Sequence, residues 1–76
     1  MNNRRRKKLE KISSELEEIK DILEGIMDEE QEALDNMPES LQDSEKADKM
    51  NECIQYLDDA VSYLGDVIDW VNEASE

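Results

Sequence analysis

The chain has 76 residues, 41% of them charged, with no Phe, no His, one Cys, two Gly, one Pro and a formal net charge of −13. A chain of that length makes one domain and buries only about 60% of its unfolded surface, so a lone copy is marginally stable and self-association would relieve the deficit. One cysteine excludes an internal disulfide framework, and no stretch has the length of a membrane span or of a signal peptide's apolar region, so a soluble cytoplasmic protein is expected.

Charge is unevenly distributed. Arg4, Arg5, Arg6, Lys7, Lys8 and Lys11 hold six of the nine basic residues, and from residue 12 onward 21 acids stand against Lys20, Lys46 and Lys49, a balance of −18. Such a body repels DNA, RNA and anionic membrane and is drawn to basic protein surfaces. Residues 1–8, MNNRRRKK, have no apolar periodicity, and cations at a helix N-terminus oppose the helix dipole, which predicts a basic flexible tail. A solvated end is the simpler reading of it. The functional alternative is an arm for nucleic acid or for the acidic end of a partner, and without interleaved aromatic residues the nucleic-acid signal is weak.

The remainder, 9–76, reads as one helical-hairpin domain. The spacing predicts a first helix over 9–36, in which Leu9, Ile12, Leu16, Ile19, Leu23, Ile26, Glu30, Ala33 and Met37 recur at alternating steps of three and four. This a/d stripe is narrow, and Ile22, Met27 and Leu34 widen it only in the second half. Glu30 occupies an a position where Leu or Ile is expected. A polar seam residue can fix register at some cost in stability, and snorkelling outward at a loosening helix end accounts for it equally well. Gly25 lies on the outer flank, where it costs about 1 kcal/mol relative to Ala.

A linker over 37–43 follows, because Pro38 disfavours helical geometry in Met37 and lacks a backbone donor. Pro38 itself suits the first position of a short turn through Leu41. Ser44 suits the N-cap of a second helix over 44–74, with Asp43 and Glu45 favourable beside its positive end.

The second helix carries two interleaved apolar series. Ala47, Met50, Ile54, Leu57, Val61, Leu64, Ile68 and Val71 form an a/d seam, and Cys53, Tyr56, Ala60, Tyr63, Val67, Trp70 and Ala74 adjoin it at g and c. Two helices of similar length joined by a short connection imply an all-α fold, a two-helix antiparallel coiled-coil hairpin. Pairing about a centre near residue 42 sets Ile12 near Val71, Ile19 near Leu64 and Leu23 near Val61. On this reading the hairpin uses the narrow stripe of helix one and the a/d half of helix two. The leftover aromatic stripe is a patch that monomers seldom expose. A symmetric dimer forming a four-helix bundle is the simplest closure, and Cys53, Tyr56, Ala60, Tyr63, Val67 and Trp70 are the candidate oligomer or partner interface. Docking of a different protein on the same stripe is the alternative.

Catalysis needs a nucleophile, an acid or base, or a metal held in a pocket. His is absent, and Cys53 stands in an apolar stripe without a candidate base, as a small hydrophobe would. Carboxylates one turn apart, such as Glu29 with Glu32 or Asp66 with Asp69, arise by chance in so acidic a chain. Glu29 and Glu30 resemble the start of the E-E-x-x-E motif of MazG-type all-α nucleotide pyrophosphatases, a magnesium-dependent family. The third carboxylate of that motif falls at Ala33, so this is a distant alternative, and no cofactor or metal site is expected.

Residues 29–50, EEQEALDNMPESLQDSEKADKM, resemble a signature of small acidic helical proteins of bacterial genomes and prophages, E-x-E-A-x-D-N-x-P-E-S-L-Q-x-S-E between two heptad helices. Glu32, Ala33, Asp35, Asn36, Pro38, Glu39, Ser40, Leu41, Gln42, Ser44 and Glu45 carry the match. The resemblance implies a fold and a mobile-element context, with no function attached. Turn chemistry explains Asn36, Pro38 and Ser44 but not Glu39, Ser40, Leu41 and Gln42, which makes the hairpin tip a second candidate contact site. The function expected is that of a noncatalytic, self-associating acidic interaction module. In a phage-encoded version it would inhibit a host protein by presenting carboxylates where nucleic-acid phosphates bind. A purely structural self-assembly element is the alternative.

Overall fold

A computed structural model describes residues 1–76. It is an all-α hairpin: α1 (Asn3–Asp35), a single 3-10 turn (Glu39–Leu41) and α2 (Glu45–Ala74), with no strand. The two helices lie side by side in a rod of 59 × 14 × 12 Å measured on Cα atoms. No helix is long and apolar enough to cross a membrane.

The first helix begins at Asn3, through the segment expected to be a flexible tail and six residues before the expected start at Leu9. The cause is Asn2, whose side-chain oxygen accepts from the Arg5 backbone N–H at 2.9 Å. This N-cap satisfies one of the orphan donors of the first turn. The arginines then continue the helix, which closes where the Asn36 backbone N–H donates to the Glu32 carbonyl at 3.0 Å and the Met37 backbone N–H to the Leu34 carbonyl at 3.1 Å.

Pro38 sits in an extended conformation and ends the helical path. Its carbonyl accepts from the Leu41 N–H at 2.9 Å and starts the 3-10 turn. Ser44 caps α2 as its residue type requires, its Oγ accepting from the Ala47 N–H at 3.3 Å while its hydroxyl donates to the Leu41 carbonyl.

The hairpin centre lies within a residue of the expected one, and the expected cross-helix pairs are offset by one or two residues. The Ser13 hydroxyl donates to Asn72 Oδ1 at 2.7 Å, and a Cβ built on Gly65 would meet Lys20 Cε at 3.9 Å. Both pairs centre the hairpin between residues 42 and 43. On α2 every member of the a/d seam is at least partly covered, with Ala47, Val61 and Ile68 buried.

The α1 face is rotated from the expected one. Leu9, Leu16 and Leu23 turn inward and are half-buried, but the positions that join them against α2 are Ser13, Lys20, Met27 and Leu34. Ile12, Ile19 and Ile26 remain 44%, 48% and 47% exposed. A single antiparallel neighbour covers one sector of a helix, and in heptad geometry the Ile12–Ile19–Ile26 row falls about 75° from the contact line. The expected burial of the whole α1 stripe by the hairpin is therefore corrected. Only three apolar side chains, Ala47, Val61 and Ile68, are buried in the entire chain.

Candidate interaction surface

The stripe on α2 stands open. Tyr56, Tyr63 and Trp70 are 73%, 68% and 66% exposed. Cys53 is a free, exposed thiol, while Ala60 and Val67, nearer the seam, are half-buried. The helix holds them in one row because steps of three and four residues return to the same face.

The isoleucines of α1 belong to the same surface. Two antiparallel helices are related by a twofold axis perpendicular to their common plane, so offsets of the same rotational sense lead to the same side of the pair. Ile12, Ile19 and Ile26 lie three residues after Leu9, Leu16 and Leu23, and Ala60 and Val67 lie one residue before Val61 and Ile68. Both offsets turn in the same sense and place their rows about 75° from the contact line. The hairpin therefore has one apolar side built by both helices. At its open end this side continues into a shallow groove lined by Met1, Arg5, Lys8, Leu9 and Ile12.

The opposite side is polar. Glu17, Lys20, Asp21, Gly65 and Asp69 line a second groove there, and the Ser13–Asn72 hydrogen bond spans the helices toward the same side. No ion pair joins the two helices. The two that form, Lys11–Glu15 at 4.0 Å and Lys20–Glu24 at 3.5 Å, are both one-turn pairs within α1.

Glu30, the polar residue of the α1 seam, is half-buried and shares a groove with Glu45, Lys46, Lys49 and Met50 near the tip. Glu29 and Glu32 are exposed, and no three acidic or thiol side chains converge as a metal-holding group.

At the tip, Glu39, Ser40, Leu41 and Gln42 are all exposed. Gln42 has a structural task that the sequence reading missed: its side-chain amide donates to the Met37 carbonyl at 3.2 Å and ties the end of α1 to the turn. The Leu41 carbonyl accepts from both the backbone N–H and the hydroxyl of Ser44. Glu39 and Ser40 make no side-chain hydrogen bond within the chain, so the turn does not account for these two.

The missed part of the surface, Ile12, Ile19 and Ile26, was visible as an apolar row. What the sequence lacked was a signal for which side of that row α2 would cover. Comparison with family models, curated proteins and solved structures finds no match for this chain.

Proposed function

We propose that this chain is a noncatalytic, acidic interaction module that self-associates into a four-helix bundle and offers its remaining carboxylates to a basic protein surface. The observation carrying the reading is the exposure of Tyr56, Tyr63 and Trp70 along one side of a hairpin with so little buried core. Sequestering an apolar side of this length is the strongest available gain in stability for so thin a fold. Sedimentation across protein concentrations, with Trp70 emission followed in parallel, tests it. Oligomer formation with a blue shift is expected, and a monomer whose emission stays that of solvated indole overturns the reading.

The partner side of the proposal rests on charge, −18 after residue 11. In the bacterial cytoplasm, encoded by the genome or by a prophage within it as the linker signature implies, such a bundle would occupy the nucleic-acid-binding surface of a basic host protein. Carboxylates would then stand where phosphates bind, and salt would weaken the complex. Pull-downs at low and high salt, followed by competition of the captured protein against its own DNA or RNA, test this. Absence of a salt-sensitive basic partner leaves the second reading, a self-assembly element that uses the same apolar side and has no other protein ligand.

A further inference from the structure

Resting on the self-association proposed above, we infer that the second copy of this chain docks head to tail. Its apolar side lies on this one with the two linkers at opposite ends, α1 against α1 and α2 against α2. The interface is thus composite, with Ile12, Ile19 and Ile26 contributing beside Tyr56, Tyr63 and Trp70.

Size permits a second copy. A face 59 Å long and 14 Å across the Cα atoms is on the order of 800 Å² per copy, the area of a standard specific interface. The two apolar rows also share a level. Ile19 is the middle of one and Tyr63 of the other, and the Ser13–Asn72 register sets Tyr63 level with Ile22, one turn from Ile19.

Charge selects the orientation. Residues 20–65, the tip half, carry 14 acids against Lys20, Lys46 and Lys49, a balance of −11, whereas residues 1–19 and 66–76 together balance at −2. Two twofold arrangements bring the apolar sides together. An axis along the hairpin sets the two −11 halves side by side; an axis across it sets each tip half beside the nearly neutral half of the other copy. Repulsion between like-charged halves disfavours the first.

The crossed arrangement also matches charge in detail. With its axis near residue 20, residue i of α1 lies level with residue 40 − i of the partner's α1. Residues 4–11, holding six cations and Glu10, then run along 29–36, which holds Glu29, Glu30, Glu32 and Asp35. Arg5 and Lys8 already edge the apolar groove beside Leu9 and Ile12, on the side that meets the second copy.

Cys53, the chain's sole and exposed thiol, provides a test in the unaltered sequence. It lies ten residues along α2 from Tyr63, so two nitroxide labels on it would sit roughly 30–40 Å apart in the head-to-tail dimer and within about 20 Å if the linkers share an end. A label at the exposed tip, Ser40→Cys in a Cys53→Ala background, keeps the probe off the interface and should read more than about 45 Å. Long distances at both positions support the proposal. Short distances overturn the orientation while leaving self-association intact, and a monomer by sedimentation overturns both. Ile19→Asp should weaken the dimer at least tenfold with helical circular dichroism retained, because Ile19 is half-exposed within one hairpin; an unchanged dimer would remove α1 from the interface.

Discussion

Gly25 is a helical residue with nothing within 4 Å of the position its Cβ would take, and it lies on the back of α1, away from both α2 and the apolar side. Nothing in the fold requires its backbone freedom. Gly25→Ala should therefore raise stability by about 0.5–1 kcal/mol through lost unfolded-state entropy, read as a higher urea midpoint with unchanged oligomeric state. Ser44 is the reverse case. Its Oγ satisfies the Ala47 N–H, so Ser44→Ala should cost about 1 kcal/mol in the same measurement. The Ser44 cap and the Pro38 break were legible because their causes lie within a few residues in the chain. Asn2 was also in plain view, but the cations that follow it argued against a helix start. Ser13 offered no signal at all, since its partner Asn72 is 59 residues away.

The contrast between α1 and α2 sets apart two kinds of isoleucine. Ile68 is buried within one hairpin, whereas Ile19 is half-exposed there. Ile68→Ala should cost about 2–4 kcal/mol at every protein concentration, by lost transfer energy and the cavity left behind. Ile19→Ala should cost about 1 kcal/mol or less in dilute solution and more as concentration rises, because in the proposed dimer its partner atoms arrive with the second copy. Thermal unfolding of both variants over a hundredfold concentration range separates them, and equal concentration dependence would refute the composite interface. The period of three and four made both helices readable. It could not say which two of α1's rows would face α2, because a helix with one neighbour has to leave one side open, and the choice belongs to the pair.

The whole molecule combines a thin core with strong self-repulsion. A net charge of −13 spread along 59 Å opposes both the hairpin and the pairing proposed for it. Raising ionic strength from about 0.01 M to about 0.15 M shortens the screening length from about 30 Å to about 8 Å, so the melting temperature should rise with added NaCl and with protein concentration. A melting temperature that falls with salt would mean that the attraction between the basic and acidic ends outweighs the repulsion of the remainder.

The sequence by itself determined two helices, the break between them, their antiparallel register and the aromatic row left over on α2, because caps, turns and heptad spacing are local properties. Only the tertiary structure decided that α1 extends through the basic segment from its Asn2 cap, that Gln42 ties the tip, and that Ser13 and Lys20 turn inward while Ile12, Ile19 and Ile26 turn out. The cap and the tip tie are short-range bonds that their residue types allow without dictating, whereas the facing of α1 depends on how one helix rotates against another, a balance among contacts made by residues far apart in the chain. That rotation gives the hairpin one polar side and one apolar side.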